Sequence, residues 1–155
     1  MAEAEVVRLK NSVNQSDHTS GSENAPVTLL EYGNFECIDC GRIFPVIKEV
    51  QRVVGENLRF VFRHFPSVRT HPMAMRAAEA AEAANAQGKF WQMHDQLFSN
   101  QQFLEEQHLS RYARRIGLDL EKFNSDLIEN TFLKQIELEY QSALFDEHVT
   151  GTPTL

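Results

Sequence analysis

Cys37 and Cys40 are the only cysteines among the 155 residues, and they stand three apart as Cys37-Ile38-Asp39-Cys40. Two cysteines make no disulfide scaffold, and a bridge between residues this close would close too small a loop to stabilise much. Their spacing suits chemistry instead: one thiolate attacks a disulfide, and the second resolves the mixed disulfide that forms. Two other readings fit the pair taken alone. It could be half of a zinc site, completed by two of His18, His64, His71, His94, His108 and His148, although no two of these have a recognised finger spacing. It could also be a pair of inert core thiols.

The elements around the pair favour redox chemistry. Pro26 to Phe35, PVTLLEYGNF, holds a short apolar run closed by Gly33 and reads as a buried strand. After Gly41, apolar residues at Ile43, Phe44, Val46, Ile47, Val50, Val53 and Val54 recur at helical spacing up to Gly55, a suitable helix terminator. Leu58 to Phe65, LRFVFRHF, is strongly β-prone. Strand, helix and strand in this order imply parallel strands and a right-handed crossover, hence an α/β fold. The cysteines then sit where a strand hands over to a helix. Free N–H groups of the helix's first turn favour a thiolate at Cys37, and Cys40 lies one turn on, on the same side.

The rest of the chain divides in two. Residues 11–25, polar and rich in Ser and Asn, read as a mobile segment, following a short strand at Val6 to Leu9. From about residue 72 to 148 the chain has helical composition or spacing throughout, with Phe90, Trp91 and Phe98 as core. It closes on TGTPTL, which has the look of another strand's start.

Composition limits the function classes. A formal net charge of −7 without a basic cluster argues against nucleic acid. An apolar share of 42% and a charged share of 24% are those of an ordinary globular protein. No segment has the apolar length of a membrane span, and MAEAEVVRLK lacks the basic and apolar regions of a signal peptide, so a cytoplasmic location is expected. No motif requires a cofactor or a metal.

At this point the residues resemble a known family. DHTSGSENAPVTLLEYGNFECIDC is similar to the opening DH-x-x-G-x-x-x-APVTL-x-EYGDFECPYC of the DsbA-like branch of the thioredoxin superfamily. RHFP, HPMAMRAAEAAEAA, GKFWQMHDQLF and GTPTL resemble later segments in the same order. The resemblance runs from Asp17 to the end and is closest to short bacterial domains found alone or joined to sodium/proton antiporters. It implies a thioredoxin-like fold with an inserted helical block, residues 26–155 forming the domain and 1–25 an N-terminal segment. It also implies a C-terminal β-hairpin and last helix that these residues do not contain.

Carried over by position, the resemblance makes Cys37 and Cys40 the redox pair and Pro45 the proline that kinks the active-site helix. Thr152-Pro153 matches the cis-proline loop, which offers backbone to a substrate peptide. Taken alone, Pro153 reads as an ordinary turn. Glu31 matches a buried acid that relays the proton of Cys40; from pattern alone it could equally face solvent. His94 falls in a family-like segment and is expected to be structural.

Two departures bear on direction. Ile38 and Asp39 stand where the family has proline and often histidine or tyrosine. An aspartate 6–8 Å from a thiolate costs it roughly 0.5–1.5 kcal/mol, or up to about one pKa unit, so a weaker oxidant than DsbA is expected. Asn34 replaces an aspartate with no assignable consequence. The expected function is thiol–disulfide exchange on peptides or proteins, with reductase or isomerase chemistry preferred to strong oxidation and with a redox-recycling partner. The alternatives are a regulatory redox switch and a zinc-holding module. The open sheet edge left without the hairpin is expected to pair with a second copy, as a dimer or domain swap.

Overall fold

The computed structural model describes residues 8–155. Strand β2, Val27–Gly33, lies parallel to β3, Leu58–His64, in a register running from Val27 opposite Leu58 to Gly33 opposite His64. Helix α1, Ile38–Val54, makes the crossover. This is the expected βαβ unit. β3 is the central strand, and Leu58, Phe60, Val61 and Phe62 are all buried, which explains its nearly continuous apolar run.

On the other edge of β3 lies a third strand, β1, His18–Ser20, antiparallel with His18 opposite Phe62. This corrects the reading of residues 11–25 as a mobile segment outside the domain. The ordering force is tertiary. The Arg63 guanidinium on β3 donates to both carboxylate oxygens of Asp17, at 2.7 and 2.9 Å, and to the Ser12 carbonyl at 3.3 Å. Of the strand expected at Val6 to Leu9, Val6 and Val7 lie outside the described residues, and Leu9 is not in a strand.

The helical block forms five helices: α2 Ala74–Asn85, α3 Phe90–Ser99, α4 Glu106–Arg115, α5 Leu120–Ile128 and α6 Leu133–Phe145. In α2 the alanines at 74, 77, 78, 80, 81, 83 and 84 are buried, and their small side chains allow neighbouring helices close approach. One core joins α1 to α5 on one face of the sheet, including Phe35, Phe60, Phe62, Met93, Leu97 and Phe123. A smaller one, Tyr32, Phe65, Ala143 and Val149, lies under α6.

After α6 the chain returns to the site. Thr154 and Tyr32 exchange backbone hydrogen bonds of 2.9 and 3.2 Å as an isolated antiparallel bridge. Among the described residues this is the one backbone pairing on the outer edge of β2. No helix of the described residues is long and apolar enough to cross a membrane.

Candidate active site

Cys37 is the N-cap residue of α1, in extended backbone geometry, and its carbonyl accepts from the Gly41 N–H at 3.1 Å. It stands at the N-terminal end of a 17-residue helix, where first-turn N–H groups are unpaired, and its side chain makes no cap hydrogen bond. Both cysteines are free thiols, but their settings differ: Cys37 is 6% exposed and Cys40 is 0% exposed. Burial pushes the Cys40 thiol up; a backbone hydrogen bond from Asn34 works against that, while Cys37 and Glu31 add to it. Of the two cysteines only Cys37 keeps any exposure, and burial holds the Cys40 thiol in its protonated form.

The Thr152–Pro153 peptide bond is cis, and the Thr152 carbonyl lies 3.4 Å from the Cys37 sulfur, which donates to it. Residues 115 positions apart are brought together here. Beside Cys37, the exposed apolar side chains of Ile38 and Phe103 flank a groove of about 400 Å³. Asp39 faces outward, and its carboxylate accepts from the Arg42 guanidinium at 2.8 Å. Pro45 lies inside α1, where its missing N–H leaves the Gly41 carbonyl without an intrahelical donor.

Strand periodicity puts Leu29, Glu31 and Gly33 on the face toward α1 and α3. Glu31 is 2% exposed, so of its two sequence readings the structure gives the buried one. Burial pushes its carboxyl up to about 7. Its Oε1 has no hydrogen-bond partner among the described residues.

Several residues that shape the loop had no signal in the sequence. The Gln101 amide donates to the carbonyls of Phe35 and Cys37 at 2.9 and 2.8 Å, fixing the turn into α1. It can do so because residue 41 is glycine: a Cβ there would lie 1.9 Å from Gln101 Oε1. Asn34, the departure without a consequence, is 2% exposed; it accepts from the Glu36 N–H at 2.9 Å and contacts His71 Nδ1 at 3.2 Å. Its own carbonyl accepts from the Cys37 N–H at 3.1 Å.

Among the described residues, the cluster suited to a metal is His18, His64 and Glu82, with ligand atoms within 4.8 Å of one another, and it contains neither cysteine. Its groups are already paired: Glu82 Oε1 lies 2.5 Å from His18 Nε2 and 2.8 Å from His64 Nε2, tying β1, β3 and α2 together.

A family model described as Thioredoxin matches residues 13–155. The chain belongs to that thioredoxin family. Within it, the domain is DsbA-like, and its fold is shared with solved proteins of that kind. A thioredoxin-like oxidoreductase from Silicibacter pomeroyi superposes with a TM-score of 0.78 at 26% identity, covering 90% of this chain and 79% of that one. BdbD from Bacillus subtilis gives 0.76 at 22% identity, covering 90% and 80%. In sequence, 138 residues are 44% identical to the Na(+)/H(+) antiporter NhaA 3 of Salinispora tropica, covering 89% of this chain and 21% of the antiporter. NhaA 1 of Mycolicibacterium gilvum is 47% identical over 113 residues, covering 73% of this chain and 18% of that protein. The chain spans about a fifth of the length of such relatives.

Proposed function

We propose that this domain exchanges disulfides with peptide or protein thiols through Cys37 and Cys40. The observation that carries the reading is the asymmetry of the pair: Cys37 at the helix N-terminus beside the Thr152 carbonyl, Cys40 fully buried one turn behind it. In the reducing direction the Cys37 thiolate attacks a substrate disulfide, and one substrate sulfur leaves as a thiolate. Cys40, once deprotonated, attacks Cys37; the Cys37–substrate bond breaks and the second substrate sulfur leaves with its electron pair. The two electrons gained by the substrate are those lost in forming Cys37–Cys40. The reverse sequence oxidises a dithiol.

Peptide-like substrates are supported by two features: the groove flanked by Ile38 and Phe103, and the Thr152 backbone beside the Cys37 sulfur. Reductase or isomerase chemistry is supported by what lies between the cysteines: neither Ile38 nor Asp39 offers the thiolate a donor, which leaves it the backbone N–H groups. The charge of Asp39 contributes less to this than its position in sequence suggested, because Arg42 compensates it in solvent.

A second reading rests on the relatives named as antiporters, in which the matching segment is a fifth of a longer protein. There the same pair would act as a redox switch attached to a transporter. Equilibration with glutathione buffers, read by the mass shift on thiol alkylation, tests the first reading. The expected result is one two-electron transition nearer to about −270 mV than to about −120 mV, with turnover on a protein disulfide. Reversible oxidation without turnover would favour the switch; no disulfide at any poise would overturn both.

A further inference from the structure

Among the described residues four buried side-chain polar atoms lack a hydrogen-bond partner, and two of them, Glu31 Oε1 and His94 Nε2, belong to residues lining one cavity of about 40 Å³. The cavity lies between β2, α1 and α3, and Lys48 and Gln51 of α1 also reach it. A buried water needs roughly 10–15 Å³ of such volume and two to four polar partners, so this cavity suits one. Orphaned buried groups are rare enough that each calls for a physical reason.

His94 is 2% exposed and sits in an aromatic sleeve, with Phe35, Phe44, Phe62 and Phe98 all within 6 Å between ring centroids. Its Nδ1 lies 2.9 Å from Asp95 Oδ1. A carboxylate only accepts, so Nδ1 carries the proton and Nε2 is left with an unpartnered lone pair. Asp95 Oδ2 accepts from Lys48 Nζ at 2.6 Å, and both of these side chains are about two-fifths exposed. A polar line therefore runs from His94 through Asp95 and Lys48 to solvent, and the cavity separates its inner end from Glu31.

We propose that His94 is a positioning residue in the proton route of Cys40, linking Glu31 to the surface through one water held in the cavity. The inference rests on the thiol–disulfide exchange reading. When Cys40 resolves a mixed disulfide, its proton passes to the Glu31 carboxylate, its sulfur bonds to Cys37, and the substrate thiolate leaves. The proton on Glu31 then moves through the water to His94 Nε2, while the Nδ1 proton leaves by way of Asp95. When Cys37–Cys40 is reduced again the protons run in the opposite direction, which restores the starting tautomer. The groups that face His94 are Asp95 on its own helix, Lys48 on α1, Glu31 on β2 and His64 on β3. The charge of Glu31 in turn acts on Cys40, adding to the rise that burial gives its thiol.

The test uses a preformed mixed disulfide between Cys37 and a chromophoric thiol, with release followed from pH 6 to 9 in wild type, His94→Gln, Glu31→Gln and the double variant. Glutamine fills similar space and hydrogen-bonds, but takes up no proton at these pH values. H94Q is expected to slow release at pH 7 on the order of tenfold, below the effect of a direct acid or base. The gap should close as hydroxide takes over at high pH, and the double variant should be no slower than E31Q. Wild-type rates and pH profile for a folded H94Q, or multiplicative losses in the double variant, would overturn the proposal. Should H94Q fail to fold, Asp95→Asn at the surface carries the same test: a few-fold loss with the same pH signature is expected, and wild-type behaviour counts against the route. If wild type forms no mixed disulfide, the exchange reading fails by itself. The route is then judged by carboxyl NMR of Glu31, whose titration midpoint must move in H94Q if the two share a water and must stay if His94 is only a filler.

Discussion

Replacing Glu31 by glutamine should stabilise the protein, and by an amount that depends on pH. The Glu31 carboxyl is buried on β2, and burial lifts it from its ordinary 4.5 to about 7. At 1.36 kcal/mol per unit, that rise is worth about 3 kcal/mol. The sign follows from proton uptake. Below pH 4.5 the carboxyl is neutral in both the folded and the unfolded chain, and nothing is lost. As pH rises toward 7 the unfolded chain gives up its proton while the folded one keeps it, so stability falls, and above 7 the loss is complete. Glutamine has nearly the same shape and no charge to bury. The gap between Glu31→Gln and wild type should therefore be close to zero near pH 4.5 and grow to about 3 kcal/mol by pH 8. For a urea slope of about 2 kcal/mol per molar, this appears as a midpoint raised by roughly 1.5 M. Urea unfolding of both reduced proteins at pH 5, 6, 7 and 8 measures it, and taking the difference cancels other titrations, including that of His64. A gap that stays constant across this range would refute the reasoning, because it would mean that Glu31 titrates alike in the folded and unfolded chains.

Three further outcomes follow from named contacts. Asp17→Ala should cost about 3 kcal/mol, since it strands the Arg63 guanidinium in a pocket where both side chains are under 10% exposed. Burial works against the charge of Asp17, but the hydrogen bonds from Arg63 outweigh it and hold the carboxyl below its ordinary value, so in wild type this contribution should disappear as pH falls below about 4; acid unfolding curves check it. Asp39→Asn should move the redox midpoint by less than about 10 mV, because an exposed aspartate already paired with Arg42 is worth under about 0.5 kcal/mol to the neighbouring thiolate; a shift of 30 mV or more in glutathione titration would restore Asp39 as a tuning residue. Gln101→Ala should cost about 1–2 kcal/mol in urea unfolding by leaving the Phe35 carbonyl without its side-chain donor and the Cys37 carbonyl with the Gly41 N–H alone, and should speed alkylation of Cys37 as the turn loosens.

What the sequence could show depended on the range of the interactions involved. The βαβ unit was legible because apolar spacing within ten or so residues dictates it, and with it the position of the cysteines where β2 hands over to α1. β1 was not: His18, Thr19 and Ser20 show no apolar alternation, and what orders them is Asp17 gripping Arg63, 46 positions away, and His18 reaching Glu82, 64 positions away. Gln101 was hidden for the same reason, since nothing local marks a glutamine whose partners lie 64 and 66 positions earlier. Asp39 is the opposite case. Its partner Arg42 is three residues on in a helix, a spacing at which side chains meet, so the weak leverage of that aspartate on Cys37 could be read from the sequence itself.

Glu31 and His94 show why the hidden part of the site matters to its chemistry. Each is a polar side chain 2% exposed within apolar packing, and each leaves one atom unpartnered among the described residues, an arrangement that lowers stability wherever it occurs. A fold seeking stability alone would place leucine or phenylalanine at both positions. The proposed proton route of Cys40 supplies a reason to keep them. Burial that shields Cys40 from solvent also denies it a route for its proton, and burial raises that thiol so that the proton does not leave unaided. On that proposal Glu31, held near neutral pH, is the base that meets the first need, and His94, in contact with the surface through Asp95, meets the other. The stability gained in Glu31→Gln and the resolution rate lost in the same variant should therefore appear together, with the stability gap opening over the same pH range in which the wild-type carboxylate becomes available as a base.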